Sequence, residues 1–110
     1  MKVSELCEKL SLECAAGNDG LSKEIKGCYI GDLLSLAMAN VREGTLWITI
    51  QTNINVAAVA SLGDAACVII ADGFKPDENM CEKAQEEGIP IITTDLSAYE
   101  IASELSGCGI

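Results

Sequence analysis

The side chains with the most chemical potential in this chain are six cysteines, Cys7, Cys14, Cys28, Cys67, Cys81 and Cys108, and there is no histidine. Without an imidazole the commonest general base and zinc ligand at neutral pH is missing, so Ser-His and Cys-His nucleophilic machinery is excluded. No two cysteines have Cys-x-x-Cys spacing, so neither a local zinc site nor a thioredoxin-like pair is written in the chain. They read as reduced thiols, with Cys7, Cys67 and Cys81 at positions where a small apolar side chain packs. The expectation is therefore no bound metal and no cofactor.

Phosphate chemistry is tested next. A P-loop needs Gly-x-x-x-x-Gly-Lys-Ser/Thr so that backbone amides and a lysine hold the phosphates, and no Gly-Lys pair occurs. The nearest imitation, Gly17-Asn18-Asp19-Gly20-Leu21-Ser22-Lys23, has the wrong spacing and reads as a turn. Asp72 and Asp95 each follow a strand and resemble the carboxylates of a phosphoacceptor receiver. Such a site also needs a lysine after its last strand, where this chain has Thr93-Thr94-Asp95-Leu96-Ser97. Asp72 then shapes a turn and Asp95 favours the following helix N-terminus. No catalytic residue is assigned.

The elements that must position these residues follow from apolar patterning. Leu46–Ile50, Ala66–Ala71 and Ile89–Thr93 lack polar alternation, as strands covered on both faces do. Leu34, Ala37, Met38 and Val41 form a helical stripe, with Asp32 as its N-cap and Gly44 just past its end. Met80, Cys81 and Ala84 form another, terminated by Gly88. Ala98, Ile101, Ala102 and Leu105 form a third, opened by a capping box of Ser97 and Glu100. Residues 55–62 are alanine-rich on nearly every side, which suits a short helix lying close against the sheet. Val3, Leu6, Cys7 and Leu10 have helical spacing, and residues 12–16 and 26–30 each supply a short strand. The tail Gly107-Cys108-Gly109-Ile110 is expected to fray.

From Asp32 onward helices and strands alternate, the pattern of crossovers and a parallel sheet. The expected fold is α/β, a single compact domain over residues 1–110 with a mostly parallel sheet flanked by helices. In such a sheet ligands bind outside the carboxyl ends of the strands. That places the candidate ligand-binding residues at Gln51, Thr52, Asn53 and Asn55, at Asp72 and Gly73, and at Thr94, Asp95 and Ser97. Their amides and hydroxyls suit neutral polar groups.

Seven basic against seventeen acidic residues give a formal charge of −10, which repels phosphodiester backbones and anionic lipid. Nucleic acid and membrane are thus not expected partners. The acidic start of the chain is unlike a signal peptide, and the expected location is cytoplasmic.

The run from Gly31-Asp32-Leu33-Leu34 through Trp47-Ile48-Thr49, Val68-Ile69-Ile70 and Gly88-Ile89-Pro90-Ile91 resembles the DRTGG domain family, over most of the chain after Cys28. Domains of that family are joined to CBS-domain pairs and phosphotransacetylases, and a similar domain stands at the N-terminus of HPr kinase/phosphorylase. The resemblance implies a non-catalytic regulatory module. Ser97-Ala98-Tyr99-Glu100 after a Thr-Asp-Leu step resembles stand-alone members found beside iron hydrogenase genes in anaerobic bacteria. Where the family has Asp-Arg and a later Asp, this chain has Thr52-Asn53 and Asn55, and its Thr-Gly-Gly is reduced to Ala71-Asp72-Gly73. Losing the arginine removes the natural partner of a phosphate.

The reading is a regulatory or scaffolding module for a small polar ligand or a partner protein, not an enzyme, with an enzyme or enzyme subunit of phosphotransfer type as the alternative. A homodimer is expected, with Phe74 and Trp47 contributing to its surface. The purified protein should release no phosphate from ATP. A phosphate-release assay checks this, and protein-dependent release that survives further purification is the contrary result.

Overall fold

The structure, a computed structural model, describes residues 1–110. Ten elements follow in chain order: α1 (Val3–Leu10), β1 (Glu13–Ala16), β2 (Gly27–Ile30), α2 (Leu34–Asn40), β3 (Thr45–Thr49), α3 (Ile54–Gly63), β4 (Cys67–Ile70), α4 (Glu78–Glu87), β5 (Ile91–Thr93) and α5 (Ala98–Gly107), with a short 3-10 turn at Asn18–Gly20. The five strands form one sheet in the order β1-β5-β4-β3-β2. β2 to β5 are parallel, and β1 runs antiparallel on the outer edge of β5. The α/β architecture with a mostly parallel sheet expected from the pattern is the one observed.

Side chains on a strand alternate between faces, so an apolar run with no polar member needs cover on both. Trp47, Val68, Ile70 and Ile91 point to the face covered by α2, α3 and α4, whose Ala37, Val56, Ala57, Ala60, Met80 and Ala84 are buried against them. Leu46, Ile48, Cys67, Ile69 and Ile92 point the other way, toward Val3 and Leu6 of α1 and Ile101 and Leu105 of α5. The alanine-rich α3 lies between α2 and α4, where its small side chains permit close approach. No helix is long and apolar enough to cross a membrane.

Three local expectations are corrected. Asp32 does not cap α2: Leu33 occupies that position, Met38 is 63% exposed rather than part of a buried stripe, and Gly44 turns the chain into β3 with a φ of 83°. The cause is that the Asp32 carboxylate is engaged by β3, as described below. Trp47 cannot line a dimer surface, because it is wholly buried and its indole N–H donates to the Gly31 carbonyl at 2.8 Å. The tail does not fray: Cys108 and Ile110 pack against the second core, and the Ile110 amide donates to Leu105 at 3.1 Å. The Gly17–Gly20 turn is structural, since a side chain at either glycine would collide with the Gly88–Pro90 backbone.

Burial pushes the Cys67 thiol well above the ordinary cysteine range, and nearby Cys7, Cys28 and Cys14 add to the push. The folded chain keeps a proton that the unfolded chain releases above about pH 8.5. The resulting stability is full below that pH and declines as pH rises through it. Urea midpoints measured from about pH 7 to about pH 9.5 should therefore fall, and the Cys67→Ala protein should fall less from its own neutral value. An equal decline in both proteins would contradict the assignment.

Candidate functional site

Four strands deliver their carboxyl ends to one edge of the sheet. The loop after β2 carries Gly31 and Asp32, that after β3 Ile50 to Asn53, that after β4 Ala71 to Asp77, and that after β5 Thr94 to Ser97. The site residues named from the sequence are therefore brought to one edge, and hydrogen bonds lace the loops together in strand order.

The first link is made by Asp32, which sequence reasoning placed elsewhere. Its Oδ1 accepts from the Thr49 hydroxyl at 2.8 Å and from the Ile50 amide at 3.0 Å, and the Gln51 Nε2 donates to its carbonyl at 3.2 Å. The second joins the β3 loop to the start of α4, where the Asp77 amide donates to the Thr52 carbonyl at 2.8 Å. In the third, the Asp72 amide donates to the Leu96 carbonyl and the Gly73 amide to the Thr94 carbonyl, both at 2.9 Å. Asp72 and Gly73 reach this geometry with successive positive φ angles of 60° and 76°. Glycine adopts that region freely and aspartate more readily than most residues. A side chain at position 73 would also press on the Asp95 carboxylate.

Several of these residues are already occupied. Asn53 caps α3, its Oδ1 accepting from the Asn55 amide at 2.9 Å, whereas the exposed Asn55 side chain makes no hydrogen bond. Ser97 and Glu100 form the capping box expected of α5. The Thr94 hydroxyl accepts from the Leu96 amide. Gln51 is engaged at both ends of its amide, Nε2 donating to the Asp32 carbonyl and Oε1 accepting from Asn53 Nδ2 at 3.4 Å, whereas the exposed Asn55, Asp72 and Asp95 side chains make no hydrogen bond.

The helices after β4 and β5 leave toward opposite faces of the sheet, α4 with the first core and α5 with the second. Such a parting of neighbouring loops is where open parallel sheets form a crevice. Here the backbone bonds at Asp72 and Gly73 close its centre, and a cleft of about 470 Å³ opens beside it, lined by Ser11, Glu13, Lys75, Thr93, Thr94 and Asp95 among others. Thr93, Ser11 and Glu13 were missed in the sequence. Thr93 has one legible signal, being a polar residue that ends an apolar strand. At the opposite edge the lysines are committed, Lys23 to Asp64 and Lys26 to Glu43.

A sequence model of the DRTGG domain matches residues 5–108. The fold is similar to the crystal structure of the CBS and DRTGG domains of the regulatory region of Clostridium perfringens pyrophosphatase, complexed with its activator diadenosine tetraphosphate. The TM-score is 0.72 at 17% sequence identity, over 93% of this chain and 44% of that one. The chain thus spans less than half the length of that relative. No curated protein matches.

The two asparagines give a direct test of which polar groups are structural. Asn53→Ala should lower stability by about 1 kcal/mol, the usual cost of a lost N-cap, and Asn55→Ala should change it by less than about 0.5 kcal/mol. Urea unfolding of both variants checks this, and equal losses would contradict it.

Proposed function

The chain belongs to the DRTGG domain family, and from that premise we propose that it is a regulatory or scaffolding module without chemistry of its own, which holds a small polar ligand or a partner protein against the carboxyl edge of its sheet. The observation that carries the reading is the lacing of four loops into one rim, with Asn55, Asp72 and Asp95 left exposed on it. Hydrogen bonds of Asp32 and of the backbone tie these loops together, and a ligand seated on the rim would bear on the helix starts of α3, α4 and α5. The similar pyrophosphatase structure, in which a DRTGG domain is part of a regulatory region complexed with an activator, supports the same kind of role.

The ligand is polar and weakly charged. The rim carries Asp32, Asp72, Asp77 and Asp95 against the single cation Lys75, on a chain of net charge −10. A tetraphosphate would meet repulsion there, and a phosphotransfer enzyme would lack the cations that stabilise a transferring phosphoryl group. An anaerobic, reducing setting, such as that of iron hydrogenase metabolism, draws support from the six thiols alone. In a homodimer, Phe74, 49% exposed beside the rim, is available for the contact.

A chemical-shift titration of the labelled protein with fractionated cell metabolites tests the proposal. The expected result is perturbation of amides in residues 51–55, 72–75 and 94–97. Perturbation confined to α4, with the three loops silent, would overturn it.

A further inference from the structure

Only two polar side chains are buried in this protein, Thr49 and Thr93, and each is the last residue of its strand. Thr49 is satisfied, its hydroxyl donating to Asp32 and accepting from the Gln51 amide at 3.2 Å. Thr93 is 8% exposed and its hydroxyl has no partner within the protein. No buried side-chain oxygen or nitrogen of the protein lacks a partner, so the Thr93 hydroxyl must reach the cleft, where solvent or a ligand supplies its hydrogen bond. Charges of both signs surround that cleft. Glu13 is the cross-strand neighbour of Thr93, Asp95 follows two residues later, and Lys75 arrives from the β4 loop. The molecule has four ion pairs, and none of them uses Glu13, Lys75 or Asp95.

An ammonium and two carboxylates that line one concavity without neutralising one another fit a ligand carrying both charges. Resting on the reading that this module takes a small ligand at the carboxyl edge, we infer that the cleft over Thr93 binds a small zwitterion of the α-amino acid class. The ligand carboxylate is held by Lys75 and the Thr93 hydroxyl, and its ammonium by Asp95 and Glu13. A cleft of about 470 Å³ lies within the range of small-molecule sites and has room for such a ligand with ordered water. A simple anion would face two carboxylates for one lysine, and a simple cation would leave Lys75 unanswered.

The experiment is an amide chemical-shift titration of the full chain with each of the proteinogenic amino acids, with inorganic phosphate and glycerol as controls. At least one amino acid should shift Thr93, Thr94 and Lys75 together. Affinity for it should fall about tenfold in the near-isosteric Thr93→Val and in Lys75→Ala, a change at an exposed position that leaves the fold intact. Asp95→Asn should weaken it too, while phosphate alone shifts nothing at Thr93. The inference is overturned if no amino acid shifts these amides, if the shifts survive both Thr93→Val and Lys75→Ala, or if phosphate binds as well as any amino acid. Should another metabolite shift the loops at Gln51–Asn55 or Asp72–Gly73 while amino acids shift nothing, this inference falls and the broader ligand-binding reading stands.

Discussion

The architecture depends on one constraint: β3, β4 and β5 are apolar on both faces, and each face must be kept from water. Leu46, Trp47 and Ile48 of β3 and all four residues of β4 are buried, so neither face tolerates exposure. At about 25 cal/mol per Å² of apolar surface, covering both sides is the dominant gain that the fold offers. Crossovers between neighbouring parallel strands share one hand, and β2, β3, β4 and β5 lie side by side in chain order. That places α2, α3 and α4 together on one face. The other face can then be covered only by segments outside the crossover series, which are α1 and α5.

The position of the candidate site follows from this division. β5 is the last strand of the series, so the chain must change face immediately after it, between the loop leading to α4 and the loop leading to α5. The resulting crevice would leave backbone amides unsatisfied, and Asp72 and Gly73 resolve this by donating across it to Leu96 and Thr94. Closing the centre moves the open space outward, toward the edge strand β1. Because β1 runs antiparallel to β5, it presents Glu13 beside Thr93 at the carboxyl end. A cleft with both an accessible hydroxyl that has no protein partner and unpaired charges is therefore a product of strand order.

Patterns of period two and 3.6 made the elements legible, because burial acts through them. The three central strands, the helix ended by Gly88 and the capping box at Ser97 and Glu100 all lie within a residue or two of where local pattern puts them. What local pattern could not show were contacts between distant residues. Asp32 is of a type that caps helices and stands two residues before α2, yet its carboxylate is claimed by Thr49 at the end of β3 and by Ile50 just after it. Trp47, the one tryptophan of the chain, suggests a surface anchor. Its indole N–H instead finds the Gly31 carbonyl inside the first core. The tail Gly107–Ile110 has the composition of a frayed end, but Ile110 and Cys108 complete the cover of the second face. Ser11 and Glu13 could not be joined to a site eighty residues away until β1 was known to pair with β5.

The departures of this chain from the DRTGG pattern acquire a physical meaning from the lacing. Thr52 serves through its carbonyl, Asn53 through a short side-chain oxygen, and Gly73 through its amide and its positive φ. None of these roles needs a charged side chain, so the rim keeps its geometry with Thr52 and Asn53 where the resemblance implies an aspartate and an arginine. What changes is the field presented to a ligand. The edge carries no guanidinium, only several carboxylates and the one ammonium of Lys75. The scaffold of the edge is thus separable from its ligand preference: the backbone sets where a ligand sits, and a few replaceable side chains set its charge.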